Sequence, residues 1–416
     1  MTEILQPADA AQVVETVAWA TGEEVPLEIA GTATKRGLGR PLLGPHGGEG
    51  NRIIGHTLDL SRLSGIMLYE PEELVLSAGA GTPLAEIEAA VAERGQQLAF
   101  EPMHLARHYG TDGGTLGGAI ACNLAGPRRI KAGAARDHVL GVQGVSGRGE
   151  AFKSGGRVVK NVTGYDLSKL MTGSYGTLAA LTEITIKVLP APEKIRTVLV
   201  FGLDDETAQR AMTTALNTSH EVSGAAHLPA PVAAQSAVTY VSGAGAAVTA
   251  LRVEGFGPSV AARTEALREL LASFGTLEEL HSTNSVVLWQ EVRDAAPFQA
   301  VDQALWRLSV MPNAGAAVVH DIATVLPGDA LYDWGGGLIW YRVDGPADDG
   351  GVAAVRAALD NHGGGHATLI RGDDEVRARV DVFQPQAGGL AALSARVKDS
   401  FDPRRILNPG RMYRGV

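Results

Sequence analysis

Cysteine, long apolar runs and positive charge are all scarce in this sequence, and each shortage excludes a class of protein. Cys122 is the only cysteine, which rules out an internal disulfide and a thiolate-bound iron–sulfur cluster, because such a cluster needs several cysteines. No apolar run reaches the length of about eighteen residues that a transmembrane helix requires. The net charge of −10 argues against nucleic acid or an anionic membrane as a general partner.

Size and composition indicate an ordinary globular protein. With 416 residues the chain is long enough for two domains, and its content of 45% hydrophobic and 20% charged residues is typical of a soluble protein. The first residues carry no basic and apolar signal region, so we expect a reducing, cytoplasmic location. The 52 glycines exceed the usual content and follow no collagen-like period, which assigns them to turns, close packing and ligand-binding loops.

Two glycine-rich segments are the most informative feature that is present. They occupy residues 111–127 and residues 155–167, and the second one closes with a further glycine pair at 173–178. Glycine lets the backbone adopt positive φ and approach a ligand closely. The apolar residues Leu116, Ala119 and Ile120 predict a helix after the first segment, with its amino terminus directed at an anion. Two such loops favour a long phosphorylated cofactor over a single phosphate.

The rhythm of predicted elements changes at residues 189–192, where Leu-Pro-Ala-Pro interrupts a strand. Residues 196–281 then show a strand-helix-strand pattern twice over, which predicts a ferredoxin-like antiparallel sheet with helices on one face. Further helices and strands extend the pattern to residue 370. We therefore expect a first domain at 1–190, a second domain at 193–400 and a turn-rich tail at 401–416.

A Rossmann fold is the first alternative for holding a dinucleotide, and the sequence does not support it. Gly79 and Gly81 follow a strand as the G-x-G-x-x-G fingerprint requires, but Leu84 stands in the place of the third glycine. No acidic residue follows at the expected distance. The lysine-serine ending of a phosphate-binding P-loop is also absent.

Several motifs together resemble a known family. The strand and turn at 29–35, Thr-Leu-Gly-Gly-Ala at 115–119 and Gly-Arg-Val-Val-Lys-Asn at 156–161 are similar to the FAD-binding domain of the vanillyl-alcohol oxidase or p-cresol methylhydroxylase (PCMH) type. Gly-Pro-Arg-Arg at 126–129 and Leu-Asn-Pro-Gly-Arg-Met at 407–412 resemble, more specifically, the E subunit of bacterial glycolate oxidases. The resemblance covers the first 190 residues and the last dozen, with a patchier match between.

The resemblance implies the fold and the site. It implies an α+β protein in which a PCMH-type FAD-binding domain of two α/β subdomains precedes a ferredoxin-like cap domain, with the tail packing back near the flavin domain. Residues 31–35 and 111–121 would form two loops around the pyrophosphate, with N–H donors from Gly117 and Gly118. Residues 133–137 and 155–165 would line the flavin side, and 178–184 would be the adenine-side strand. The expected FAD-binding residues are Gly31, Thr32, Ala33, Thr34, Lys35, Thr111, Gly114, Thr115, Gly117, Gly118, Ala121, Arg136, Asp137, Lys160, Asn161, Tyr165, Gly176 and Ile184.

Non-covalent FAD binding is expected. The family attaches flavin covalently through a histidine in the first loop, and none occurs there. His46 lies in a glycine-rich segment outside that loop, and Cys122 is interpreted as a small side chain in an apolar helix. The first loop also departs from the family, since it reads Gly-Thr-Ala-Thr at 31–34 and lacks the usual doubled or tripled glycine. Asn161, placed near the flavin by the resemblance, is equally suited to capping the backbone.

Two further groups have open interpretations. Arg128, Arg129, Lys131 and Arg136 form a basic cluster, which is either a solvated loop with ion pairs or a platform for phosphates, a carboxylate or a negatively charged partner. His362 and His366 flank three glycines, and without supporting carboxylates such a pair is usually no metal site. The sequence does not identify the catalytic residues, and it predicts no metal ligands.

The resemblance implies an FAD-dependent oxidoreductase acting on CH–OH groups: the FAD-binding subunit of a complex that oxidises glycolate, a 2-hydroxy acid, to glyoxylate. Its partners would be a sister FAD subunit and an iron–sulfur subunit, through which the chain could be peripheral at the inner membrane. Two alternatives remain open: a self-sufficient FAD-dependent 2-hydroxy-acid dehydrogenase of the D-lactate type, and a non-catalytic scaffold subunit.

Overall fold

A computed structural model describes residues 3–43, 47, 54–157, 164–299, 302–345 and 347–416. The expected FAD-binding residues Lys160 and Asn161 lie outside this part of the chain, as does His46. No helix in the described part is both long enough and apolar enough to cross a bilayer.

The chain divides into two compact units. Unit 1 comprises Met1–Leu124, Gly133–Ala191 and Arg377–Val416, and unit 2 comprises Ala125–Ala132 and Pro192–Val376. The division at 191/192 lies beside the break expected from the sequence. The structure differs in two other places: residues 125–132 belong to unit 2 and residues 377–400 to unit 1. The physical reason is long-range contact of buried charges, because Arg128 pairs with Glu254 in unit 2 and Lys398 Nζ donates to Thr177 O in unit 1.

Unit 1 contains two main sheets. A parallel sheet has the order β1-β3-β2, and an antiparallel sheet of five strands has the order β4-β5-β9-β7-β8. The strands are β1 Glu3–Leu5, β2 Leu27–Ala30, β3 His56–Asp59, β4 Ile66–Glu70, β5 Val75–Gly79, β6 Gln96–Gln97, β7 Val139–Ser146, β8 Ala151–Gly155, β9 Ala179–Lys187 and β10 Leu189–Pro190. Two small sheets, each with helices, are what the α+β expectation required for this half.

The helices of the chain are α1 Ala10–Gly22, α2 Leu84–Ala92, α3 Leu116–Cys122, α4 Arg129–Ala132, α5 Ala135–His138, α6 Leu167–Met171, α7 Asp205–Leu216, α8 Ala230–Ala233, α9 Thr239–Ser242, α10 Gly257–Leu271, α11 Ser282–Arg293, α12 Gly315–Val325, α13 Val352–Asn361, α14 Asp374–Arg379 and α15 Gly388–Phe401. Local signals explain where several begin. Asp9 caps α1 by accepting from Gln12 N at 2.9 Å, and Thr115 caps α3 by accepting from Gly118 N at 3.2 Å.

Unit 2 is built on one antiparallel sheet with the order β14-β11-β13-β12-β16-β17-β15-β18. Its strands are β11 Lys194–Phe201, β12 Gly224–Leu228, β13 Val248–Gly255, β14 Leu277–His281, β15 Leu305–Ser309, β16 Gly328–Asp333, β17 Leu338–Val343 and β18 His366–Arg371. The first four strands, with α7 and α10, have the ferredoxin-like β-α-β-β-α-β topology that the sequence predicted.

The second four strands repeat that topology. With α12 and α13 they also run β-α-β-β-α-β, and the two halves join where β12 pairs with β16. The sequence pattern did not predict α12 and β16, and without these two elements the repeat could not be recognised. Helix α12 starts at Gly315 and contains the β-branched pair Val318 and Val319, and both features lower intrinsic helix propensity.

Candidate cofactor-binding site

A cavity of about 140 Å³ lies within unit 1, where its glycine-rich loops meet. Three segments form its walls: the end of β2 with the loop after it, the start and body of α3, and residues 174–181 before and in β9. Residues of the carboxyl-terminal segment complete it. The expected residues that line it are Gly31, Thr32, Ala33, Thr34, Lys35, Thr115, Gly117, Gly118, Ala121 and Gly176.

The first loop, residues 31–35, presents backbone donors. Ala33 has a φ of +55°, a left-handed conformation that is uncommon for residues other than glycine and is typical of backbone segments that bind anions. Within the described part of the chain, the N–H groups from Thr32 to Lys35 meet no acceptor. A Cβ on Gly31 would lie 2.8 Å from Thr115 Oγ1, so glycine is required where this loop meets the second one.

Lys35 supplies the positive charge. Its Nζ reaches across to the second loop, 3.4 Å from where a Cβ on Gly118 would lie and 3.1 Å from the equivalent point on Gly114. No carboxylate of the described residues pairs with this ammonium group. A half-buried cation close to backbone N–H groups that have no acceptor among the described residues is a suitable environment for a phosphate.

The second loop provides space more than donors. The sequence predicted that Gly117 and Gly118 donate N–H groups to the pyrophosphate, but in the structure Gly117 N donates to Ala80 O at 2.8 Å and Gly118 N to Thr115 Oγ1 at 3.2 Å. The second bond is the cap that Thr115 provides for α3, and the first joins α3 to the residue after β5. The missing side chain of Gly118 leaves space beside Lys35 Nζ, and that of Gly117 lets α3 pack closely against Ala80.

The carboxyl-terminal segment contributes residues that the site prediction omitted, Asn408 and Arg411. Arg411 is buried and donates to the carbonyls of Arg36, Leu38 and Arg40 at 3.1–3.3 Å. A signal for both existed, because they lie in the Leu-Asn-Pro-Gly-Arg motif that carried the family resemblance. Glu28, Cys122 and Tyr175 also line the cavity without having been predicted to bind FAD.

Electrostatics beside the cavity centre on Glu28. This buried carboxylate accepts two hydrogen bonds from Arg36 at 2.8 and 3.0 Å and one from Thr57 Oγ1 at 2.9 Å. Arg411 Nη2 lies 3.4 Å from the same carboxylate. Burial lowers the pKa of Arg411 to about 10, against the opposing effect of Glu28, so the guanidinium remains charged at neutral pH.

Cys122 lies at the end of α3 and lines the cavity. Burial raises the pKa of its thiol, although Lys35 and Arg411 act in the opposite direction. The thiol is therefore mostly protonated near pH 7 and is a weak nucleophile.

Other expected residues lie outside the cavity lining. Thr111 supports the first loop, because its hydroxyl donates to Thr34 O at 3.0 Å. Asp137 is exposed and accepts from Ala134 N at 2.8 Å, and Ile184 is buried inside β9. Tyr165 is 93% exposed. Gly114 and Arg136 are also not among the residues that line the cavity.

The basic cluster is divided between the units. Arg128 forms a two-pronged ion pair with Glu254 at 2.8 and 3.0 Å, and Lys131 pairs with Glu221 at 2.8 Å. Arg129 stacks on the Trp334 ring at 4.3 Å. These contacts favour the ion-pair interpretation for the part of the cluster in unit 2.

The histidine pair has an ordinary environment. His362 Nε2 lies 2.8 Å from Asp321 Oδ2, and His366 is exposed. In the described part of the chain, no group of three or more histidine, cysteine or acidic side chains is arranged to hold a metal ion.

Comparison with known proteins first identifies the class of protein to which the chain belongs. A family described as "FAD binding domain" matches residues 2–155. The crystal structure of p-cresol methylhydroxylase with substrate bound aligns with a TM-score of 0.71 at 14% identity, over 98% of this chain and 88% of that one, which shows a shared fold. The chain is therefore a flavoprotein of the FAD-dependent oxidoreductases, and the predicted cofactor and α+β fold are confirmed.

Two relatives narrow the class. The glycolate oxidase subunit GlcE of Escherichia coli (strain K12) is 37% identical over 412 residues, which is 99% of each chain. The glycolate oxidase subunit GlcD of Bacillus subtilis (strain 168) is 26% identical over 88% of this chain and 83% of its own length. The chain belongs to the family of glycolate oxidase subunit GlcE.

The residues around the cavity fit FAD. The pyrophosphate is a dianion, and the first loop offers a cation and N–H groups that have no acceptor among the described residues. The missing side chain of Gly118 leaves space next to Lys35 Nζ. Such a cradle, with few bulky side chains, lets a phosphate approach the backbone closely.

Proposed function

We propose that this chain is the FAD-carrying subunit of a complex that oxidises glycolate to glyoxylate and passes the electrons on through FAD. The observation that carries the proposal is the match to GlcE of Escherichia coli over 99% of both chains. A match of that extent covers unit 2 as well as the FAD-binding half. It therefore favours this reading over a self-sufficient dehydrogenase or a scaffold that shares only the FAD-binding domain.

In this proposal the cavity of unit 1 holds the FAD pyrophosphate. Lys35 neutralises phosphate charge, and the N–H groups of residues 32–35 donate to phosphate oxygens. Gly118 keeps the space beside Lys35 free, and Gly31 lets the two loops approach each other closely. Bound FAD supplies a two-electron acceptor. No catalytic residue for glycolate is assigned.

The attachment of FAD is proposed to be non-covalent. The first loop contains no histidine. Cys122 is the one thiol at the cavity, and burial raises its pKa, which disfavours the thiolate that a cysteinyl link would require.

The proposed partners are a sister FAD subunit and an iron–sulfur subunit. GlcE is named as one subunit of a larger enzyme, and the match to GlcD is consistent with a sister flavoprotein of related build. Since this chain has one cysteine, a cluster that relays electrons would have to be held by another chain. The proposed location is the cytoplasm, with attachment to the inner membrane through these partners.

The test is anaerobic stopped-flow reduction of the FAD-loaded chain by glycolate and by D-lactate, alone and with both partners co-expressed. We expect slow or no bleaching of the flavin in the isolated chain and much faster bleaching by glycolate in the complex. Rapid stoichiometric reduction of the isolated chain would instead establish a self-sufficient dehydrogenase. No reduction by glycolate in any combination would overturn the proposed function.

A further inference from the structure

We propose that Asn408 is a positioning residue for FAD: its side chain sets the spacing between the first loop and the wall of the cavity opposite it. The inference rests on the placement of FAD in the cavity of unit 1. It assigns a role in cofactor binding to the carboxyl-terminal segment, far along the chain from either glycine-rich loop.

The Asn408 amide joins two walls of the cavity. Its Oδ1 accepts from Ile29 N at 2.8 Å, in the strand that leads into the first loop. Its Nδ2 donates to Tyr175 O at 2.7 Å, in the turn before β9. Asn408 is only 3% exposed, so water does not replace these bonds if they are lost, and each unpaired backbone group would be costly.

A further hydrogen bond holds the turn that contains Tyr175 to the second loop. Tyr175 N donates to Ala121 O at 3.0 Å, at the end of α3. The amide of Asn408 therefore completes a continuous path of hydrogen bonds from β2 through the turn to α3. The first loop emerges from one end of this path, and the second loop leads into the other.

Asparagine suits this position for two reasons. The backbone φ is +42° at Asn408, a region that asparagine tolerates better than most other residues with a side chain. Its amide carries both an acceptor and a donor, as the two contacts require. The fit is close, because a Cβ on Gly176 would lie 2.7 Å from Asn408 Nδ2.

The backbone on either side fixes where the amide lies. Leu27 N donates to Ile406 O at 2.7 Å and Asn408 N donates to Leu27 O at 3.0 Å, so the segment runs beside β2 like an additional strand. Arg40 N donates to Arg411 O at 2.9 Å, which holds the following residues against the stretch of chain after the first loop. A segment anchored on both sides loses little entropy when FAD binds.

Two substitutions test the role of the side chain. Asn408→Asp keeps the acceptor for Ile29 N and the backbone preference but places an oxygen against Tyr175 O. Asn408→Gly keeps the positive φ and removes both bonds. Arg404→Ala is the matched control, because Arg404 lies in the same segment and pairs with Glu24 on the surface, where the two side chains are 58% and 60% exposed.

The measurement is the Kd for FAD of each deflavinated protein, by quenching of flavin fluorescence, at a temperature where far-UV circular dichroism shows the protein folded. We expect both Asn408 variants to bind FAD about tenfold more weakly or worse, with altered visible circular dichroism of the bound flavin, and the control to match the parent. If the folded variants have a lower Tm but a Kd within about twofold of the parent, the role is merely structural and the proposal is overturned.

If the variants do not fold, hydrogen exchange on the unaltered chain tests whether Asn408 is coupled to FAD binding. Because coupling is reciprocal, FAD should slow exchange at Ile29 and Asn408 along with the first loop. Unchanged exchange at Asn408 on FAD binding would overturn the proposal. If the parent binds FAD yet glycolate never reduces it in the complex, the proposed function fails while the role of Asn408 stands.

Discussion

Gly117 and Gly118 are neighbours in α3, yet a side chain at each would meet different surroundings. A Cβ on Gly117 would lie 2.8 Å from the backbone oxygen of Ala80, which cannot move without disturbing β5 and its neighbours. A Cβ on Gly118 would meet only side-chain ends, Thr115 Oγ1 at 3.3 Å and Lys35 Nζ at 3.4 Å. The first glycine is needed for the fold, and the second is needed to keep space beside Lys35.

Substitution of Gly118 by valine should therefore abolish FAD binding while the protein still folds. The branched side chain would occupy the space that we assign to phosphate. The measurement combines FAD content after purification with thermal unfolding of the deflavinated chain. Gly117→Val is the contrasting variant and should lower the Tm of the deflavinated chain clearly more. A folded Gly118→Val protein that binds FAD like the parent would contradict the placement of the site.

Lys35→Gln should weaken FAD binding by about tenfold to a hundredfold, the usual range for a hydrogen bond to a charged group. Titration of the deflavinated protein with FAD measures this loss, and higher salt should reduce the difference between parent and variant. Lys153→Gln is the control, because Lys153 is exposed in β8 away from the cavity lining. Equal Kd values for the Lys35 variant and the control would exclude a phosphate contact.

At the scale of elements, the buried side chain of Lys398 anchors α15 within unit 1. Lys398 Nζ donates to Asp402 Oδ2 at 2.8 Å, to Thr177 O at 2.6 Å and to Leu407 O at 2.9 Å. The Asp402 carboxylate also accepts from Ile406 N and Leu407 N at 3.0 and 2.8 Å. Every group of this network is satisfied, which is the condition for a buried pair to be tolerated.

Lys398→Met should destabilise unit 1 by about 3–5 kcal/mol, because it leaves a buried carboxylate without its cation. Urea unfolding, followed by circular dichroism, measures the change in free energy. Arg404→Ala, which removes an exposed ion pair, should cost less than about 1 kcal/mol. An equal effect of the two substitutions would show that the Lys398 network does not stabilise the carboxyl-terminal segment.

Glu254 is the ion-pair partner that holds Arg128, in the segment 125–132, within unit 2. Burial alone would raise the pKa of Glu254, but Arg252 and Arg128 outweigh it and lower the pKa to about 2. A carboxyl group whose pKa is lower in the folded state contributes stability above its unfolded pKa of about 4.5, and that contribution is lost as the pH falls towards the folded value.

Glu254→Gln should accordingly destabilise unit 2 at pH 7, and its deficit relative to the parent should shrink between pH 4.5 and pH 2. The pKa difference corresponds to on the order of 3 kcal/mol. Urea unfolding of both proteins from pH 7 downwards provides the comparison. A deficit that stays constant through this range would mean that Glu254 does not titrate with a lowered pKa.

For the molecule as a whole, acid precipitation should release the flavin into the supernatant, because the proposed attachment is non-covalent. Yellow flavin that stays with the precipitated protein would contradict this. Cys122→Ser then identifies the link: retention that disappears in this variant would assign it to the thiol, and retention that persists would place it elsewhere. A parent chain that never binds FAD would remove the site altogether.

Local signals and shared motifs were enough to predict the features that depend on near neighbours in the chain. The helix after the first glycine-rich segment and the first ferredoxin-like set of elements follow from apolar periodicity and turn residues, which act between near neighbours. The glycine-rich loops and the terminal motif indicated FAD and the family. Glycine is needed wherever the backbone approaches a ligand closely, so the pattern of glycines can be recognised in a single sequence.

The tertiary structure decided what depends on distant partners. Asn408 meets Ile29 across 379 residues of chain, and the pairing of β12 with β16 joins the two halves of unit 2 into one sheet. Tertiary packing also places Gly118 next to Lys35 and Gly117 next to Ala80 O. No local pattern encodes such contacts, because they arise only when packing brings separate segments together and excludes water from them.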